Sequence, residues 1–133
     1  MRGDRVGGPI RWRMHIRAAP EAVFAALNTD EGRASFWAES AVEADGEIAF
    51  RFVNGSRWTG RILERRRPAR FSIEYFGGVA TFELAPDGGG GTDLLLVHEG
   101  VEPEEWNEVH AGWLNVLFPL KAVSYTHLRA HET

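Results

Sequence analysis

Alternation of apolar and polar positions dominates the first hundred residues. Ile10, Trp12, Met14 and Ile16 alternate with Arg11, Arg13, His15 and Arg17, the period of a half-buried strand over Ile10–Arg17. Pro20 predicts a short helix, Pro20–Leu27, because its fixed φ and missing N–H suit a first helical turn. Val23, Phe24 and Leu27 share one side of it. Asn28-Thr29-Asp30 breaks that helix, and Thr29 or Asp30 can cap a second one ending near Phe36-Trp37. Strands then follow one another. Ala38–Ala44 and Glu47–Val53 are joined by Asp45-Gly46, a hairpin signal. Asn54-Gly55 leads into Arg57–Arg66, Pro68-Ala69 into Arg70–Phe76, and Gly77-Gly78 into Val79–Leu84. Pro86-Asp87 with Gly88–Gly91 makes the last hairpin end before Thr92–Glu99.

After Glu99 the period changes. Trp106, Val109, Trp113, Val116, Leu117 and Leu120 recur in steps of three and four, which predicts one long helix over Glu104–Val123. Glu102, Glu104, Glu105 and Glu108 crowd its start and Lys121 sits near its end, as the helix dipole favours. Pro103 fits the first turn. Gly112 lacks a Cβ and predicts a close approach of this helix to whatever it lies on. Pro119 predicts a kink in the last turns, since it cannot donate back to Asn115.

Every connection between the six consecutive strands is short, so they are expected to pair antiparallel. Such a sheet has one face to bury, and the long helix is its natural cover. By alternation the inward set is Phe50 and Phe52; Trp58, Gly60 and Ile62; Phe71, Ile73 and Tyr75; Phe82 and Leu84; Leu94, Leu96 and His98. Glu64 falls on the same parity as Trp58 and Ile62. The expected class is α+β, a helix-grip fold of order β-α-α-β6-α: a curved antiparallel sheet, two short helices and a long C-terminal helix.

Composition narrows this further. A chain of 133 residues is long enough for one domain with a real core. We take Met1–Pro9 as a loose, glycine-rich tail without the apolar stretch of a signal peptide, and residues 10–123 as the domain. No apolar run approaches the roughly eighteen residues of a membrane span. There is no cysteine, which excludes disulfides and thiol catalysis and fits a reducing cytoplasm. The net charge of −4 argues against a general nucleic-acid binder.

The element order, the Pro20-Glu21-Ala22-Val23-Phe24 opening and the Phe36-Trp37 pair resemble the SRPBCC superfamily of START, polyketide cyclase and birch-pollen-allergen-like domains. Within it the chain is most similar to the branch of the activator of the heat-shock chaperone ATPase (Aha-type). Gly60-Arg61-Ile62-Leu63-Glu64, Arg67-Pro68-Ala69-Arg70-Phe71 and Thr81-Phe82-Glu83-Leu84 carry that similarity, as do the run Gly91–Gly100 and His110-Ala111-Gly112-Trp113. The resemblance covers about Ile10–Val123. It implies a deep cavity between sheet and long helix, used across the superfamily for apolar ligands, and it does not fix one activity. Members of this branch continue the last helix with more leucine-type residues. Here Ser124–Thr133, SYTHLRAHET, changes composition and loses the amphipathic period; it resembles translated adapter sequence and reads as a non-native tail.

On that basis the cavity is expected to be lined by Phe24, Trp37, Phe50, Phe52, Trp58, Ile62, Ile73, Tyr75, Phe82, Leu96, His98, Val109, Trp113 and Leu117. The expected ligand is a small apolar or amphipathic molecule, bound with no cofactor and no metal. Two other classes stay open. One is chaperone regulation through a protein-docking surface, although in the resembled proteins that activity involves a further domain. The other is a cyclase- or hydrolase-like enzyme using His98 and Glu64 as acid and base. His98 reads either as a hydrogen-bonded core histidine or as an orienting group inside the cavity. Glu64 is either a solvated strand end or a partner for His98. Arg57, Arg61, Arg65, Arg66, Arg67 and Arg70 form the most basic stretch, either a solvated sheet face or a surface for an anionic partner. No nucleophile motif, phosphate loop or metal-spaced cluster is present. His127 and His131 stand four apart, but in the tail.

Overall fold

The computed structural model describes residues 8–132, with side chains over residues 8–122. Its first strand, β1 (Ile10–Ile16), is followed by α1 (Pro20–Asn28) and α2 (Asp30–Phe36). Pro20 opens α1 as its sequence position predicts. Thr29 closes one helix and starts the next: its hydroxyl donates to the Ala25 carbonyl and accepts from the Gly32 N–H, both at 2.9 Å. Six strands follow, β2 (Ser40–Ala44), β3 (Glu47–Arg51), β4 (Arg57–Arg66), β5 (Arg70–Tyr75), β6 (Gly78–Pro86) and β7 (Thr92–Glu99). A 3-10 turn at Pro103–Glu105 leads into α3 (Trp106–Glu132).

All pairings are antiparallel, in the order β1-β7-β6-β5-β4-β3-β2. The first strand thus returns beside the last, with Ile10 opposite His98. The expected α+β helix-grip architecture is the one observed. Its inward face carries Phe50, Phe71, Ile73, Phe82, Leu84, Leu94 and Leu96, which pack with Phe24 and Leu27 of α1 and Trp113, Leu117 and Leu120 of α3. On the other side of α3, the His110 ring lies between Trp106 and Trp12, at centroid distances of 4.7 and 4.8 Å. This stack joins the helix to β1.

Three local expectations need correcting. The helix was expected to stop at Val123, but its backbone runs on to Glu132. The reading of Ser124–Thr133 as non-native concerns side chains that lie outside the described residues, as do residues 1–7 of the expected N-terminal tail. Pro119 lies inside α3. The turn after β5 is Phe76-Gly77 rather than Gly77-Gly78, and Gly78 already pairs with Tyr75 in β6.

The third correction concerns Glu64. Between Ile62 (opposite Ile73) and Glu64 (opposite Ser72), β4 advances two residues while β5 advances one. The extra residue is a β-bulge, which reverses the parity beyond it. Glu64 therefore faces outward, where its carboxylate meets Arg70 at 2.8 Å and Arg66 at 3.5 Å. Alternation had given it the parity of Trp58 and Ile62; of the two readings left open for Glu64, the solvated strand end is the one observed. The basic stretch is laced with carboxylates in the same way: Arg65 pairs with Glu43, Arg67 with Glu21, and Arg70 also with Glu83. All four arginines are paired, Arg66 and Arg70 on the outer sheet face and Arg65 and Arg67 beside α1, where they also reach Asn28 and Glu21.

Candidate functional site

A stripe that starts at Glu105, the last residue of the 3-10 turn, continues along α3 through Glu108, Val109, Gly112, Trp113 and Val116, spaced as one helix face. It does not lie flat on the sheet. A groove of about 570 Å³ separates it from Phe52, Asn54 and Ser56 beyond β3 and from Tyr75 and Phe76 at the end of β5, with Trp37 also in its wall. The β3–β4 connection holds its shape through Asn54, whose side-chain oxygen accepts from the Ser56 N–H at 2.9 Å and its hydroxyl at 2.8 Å. Phe52 lies parallel to Phe50 with ring centroids 5.8 Å apart.

Phe76 forms the other wall from an unusual position. Its φ is +44°, and that of Gly77 is +83°, the backbone of a two-residue hairpin turn that favours Asn, Asp or Gly at the first site. Asp45-Gly46 makes the same turn with the expected residues, at +55° and +80°. A bulky aromatic in this region costs on the order of 1–3 kcal/mol. The ring is held by Trp58 (centroids 4.9 Å), Tyr75 (4.8 Å) and Phe52 (5.7 Å).

Gly112 overturns the expectation of close approach. A Cβ built there would meet nothing within 4 Å, and its φ is not in the positive region. The missing side chain leaves open space above the aromatic wall.

Beneath the groove lies a polar relay. Trp113 is 1% exposed and donates through Nε1 to His98 Nδ1 at 3.0 Å. That contact makes Nδ1 the acceptor, so Nε2 carries the proton and donates to the Tyr75 carbonyl at 2.8 Å. Trp37 Nε1 donates to the Tyr75 hydroxyl at 3.1 Å. Burial pushes the Tyr75 phenol well above its ordinary value, so it stays neutral. Burial likewise lowers the pKa of His98, against a smaller opposing effect of the Tyr75 carbonyl. Both nitrogens of His98 are occupied within the core, and Glu64 faces the other side of the sheet. Nothing in this arrangement pairs them as acid and base.

The His98 geometry sets a pH dependence. Below about pH 6.5 an unfolded histidine takes up a proton, while folded His98, with its depressed pKa, does not. Stability is therefore complete above about pH 6.5 and declines as pH falls toward the folded-state value, with a limiting slope of about 1.4 kcal/mol per pH unit. Urea midpoints measured from pH 7.5 to 5 should show this decline, and His98→Gln should flatten it. Equal slopes in the two proteins would mean that His98 titrates normally.

Of the residues expected to line a cavity, Trp37, Phe52, Tyr75, Val109 and Trp113 line the groove. Phe50 backs Phe52. Phe24, Ile73, Phe82, Leu96 and Leu117 are buried in the packed interior, which fills the middle of the space beneath α3. Trp58 and Ile62 are half-buried against that core, and Trp58 donates to the Glu74 carbonyl at 3.0 Å. The sequence reading missed Asn54, Ser56, Phe76, Glu105, Glu108, Asn115 and Val116 as lining. For Glu105 and Glu108 a signal was available, since they precede Val109 and Gly112 at helical spacing.

A second concavity, of about 670 Å³, lies at the opposite end of the strands, between Arg13, His15, Arg66, Arg70, Glu83 and Asp93. Among the described residues no Phe, Tyr or Trp lines it. His15 contacts Asp87 at 2.6 Å and Arg70 is held by two glutamates, so its charges are largely satisfied. Among the described residues no three His, Asp or Glu side chains gather as a metal site requires, and no helix is long and apolar enough to cross a membrane.

Comparison with known proteins agrees with the architecture. Residues 17–124 match the family described as Activator of Hsp90 ATPase homolog 1-like protein. The solution structure of the Aha1 dimer from Colwellia psychrerythraea superposes with a TM-score of 0.78 at 21% identity, covering 88% of this chain and 96% of that one. An AHSA1-like protein from Aeromonas hydrophila gives 0.74 at 21% identity, over 92% and 94%. A protein from Chromobacterium violaceum gives 0.74 at 25% identity, over 89% and 98%. Among proteins with curated descriptions none matches.

Proposed function

The chain belongs to the Activator of Hsp90 ATPase homolog 1-like family, within the SRPBCC superfamily, whose fold commonly binds hydrophobic ligands, and from that premise we propose that it binds a small apolar or amphipathic molecule. Binding is non-covalent, needs no cofactor, and takes place in the groove between the first turns of α3 and the aromatic wall of Phe52, Tyr75 and Phe76. The volume of about 570 Å³ lies within the range of about 300–1,000 Å³ for small-molecule sites.

Gly112 is the observation that carries this reading. A glycine inside a helix costs roughly 0.5–1 kcal/mol relative to alanine, and here neither backbone conformation nor a close neighbour requires it. What the glycine provides is room for a ligand over Trp113 and Val109. Substitution of this residue tests the idea. Gly112→Ala is expected to raise stability by about 0.5–1 kcal/mol and to leave most of the groove open. Gly112→Phe should fold, since its ring enters open space, and should weaken binding of an environment-sensitive apolar dye at least about tenfold. A folded Gly112→Phe protein that binds the dye as well as the unmodified chain would sink the proposal.

A further inference from the structure

We propose that the ligand of this groove is a cation: an amphipathic molecule with an apolar or aromatic body and an organic ammonium head. The inference rests on the small-molecule reading above and adds the chemistry of the head group.

Among the described residues, two charged side chains line the groove, Glu105 and Glu108, and both are carboxylates. They occupy the end of the α3 stripe that then becomes apolar at Val109, so the groove has an anionic mouth and an apolar interior. Among the described residues, neither carboxylate is ion-paired with a cation. The remaining polar lining, Asn54, Ser56 and Asn115, is neutral. The partial positive charge of the α3 N-terminus would by itself favour an anion, but Glu102, Glu104, Glu105 and Glu108 are gathered in that same region and offset it. The walls point the same way. Trp37, Phe52, Tyr75, Phe76 and Trp113 present rings, and an ammonium over a ring face is attracted by its quadrupole. Among the described residues, a fatty-acid-like carboxylate would find no basic side chain in the groove lining and two carboxylates at the entrance.

Both glutamates are exposed, so water and salt weaken their pull. Exposed ion pairs of ordinary strength translate into a preference for the cationic head of roughly three- to twentyfold over a neutral one. The preference should shrink in 0.5 M salt.

The test uses three probes with one body: 4-phenylbutyl-trimethylammonium, 4-phenylbutanol and 4-phenylbutyrate. Calorimetric titration of the full chain is expected to rank them cation, alcohol, anion. In the double variant Glu105→Gln/Glu108→Gln the advantage of the cation over the alcohol should disappear. Equal binding of all three, tighter binding of the anion, or a cation preference that survives in the double variant would overturn the inference and leave the groove reading standing. Absence of binding by any probe, or binding of all three unaffected by Gly112→Phe, would remove the groove reading itself.

Discussion

Trp113→Ala is expected to lower the unfolding free energy by about 3–5 kcal/mol, the usual loss when a fully buried large aromatic is truncated. The ring is 1% exposed and meets Trp37, Tyr75, Phe82 and His98 at centroid distances from 5.1 to 6.2 Å. Alanine would leave a cavity among rings that cannot all collapse into it, and would strip His98 Nδ1 of its donor. A buried acceptor without a partner adds about 1–3 kcal/mol. Trp113→Phe separates these contributions, because it keeps much of the packing and removes the N–H. It should fall between the parent and Trp113→Ala in urea unfolding. A loss below about 1 kcal/mol for Trp113→Ala would mean that the site repacks almost completely, contrary to the interlocked cluster.

The architecture was legible because both hydrophobic periods are clean: Ile10, Trp12, Met14 and Ile16 alternate, and Trp106, Val109, Trp113 and Val116 step by three and four. Short connections then allowed only antiparallel neighbours. The site was less legible, for reasons that can be assigned to single residues. Alternation assumes that no residue is inserted, so the bulge near Leu63 silently moved Glu64 to the outer face. Phe76 reads as the next inward-or-outward strand position, and nothing in its chemistry announces a left-handed turn. Gly112 has two opposite meanings, close contact or open space, and only the surrounding atoms distinguish them. Glu105 and Glu108 have an ordinary role as dipole partners that hides their place on the groove stripe. The aromatic inventory named the right kind of residue, but the interior behind the groove claimed Phe24, Phe82 and Leu96 for packing. Arg33 escaped notice for a different reason. It sits in a short helix of mixed composition, and its role depends on carbonyls contributed by two other elements.

Arg33 is therefore the position where a surface-looking residue should prove a core one. It is 0% exposed. Its Nε donates to the Ala41 carbonyl of β2 at 3.0 Å, and one terminal nitrogen donates to the Leu27 carbonyl at 2.9 Å. The other terminal nitrogen meets the Asp30 carboxylate, which also accepts from the Glu43 N–H of β2 at 3.0 Å. Leu27 lies in the last turn of α1, whose carbonyls have no partner within the helix. β2 is an edge strand of the sheet. One guanidinium thus closes the end of α1 and, together with Asp30, ties down the sheet edge. Burial lowers its pKa, and the Asp30 and Glu43 carboxylates oppose that shift. Arg33→Met keeps much of the volume and removes every donor, and it is expected to cost about 2–4 kcal/mol, mostly through buried carbonyls left without partners. Asp30 is half exposed, so its charge returns to water and adds little. Arg33→Lys should recover less than half of the loss, because one compact ammonium cannot span two carbonyls and a carboxylate in the planar geometry of a guanidinium. Urea unfolding gives the magnitudes, and amide exchange locates the effect: the Glu43 N–H should exchange faster in Arg33→Met. A loss below about 1 kcal/mol with Glu43 protection unchanged would show that water or the neighbouring backbone can satisfy Leu27 and Ala41 without the arginine.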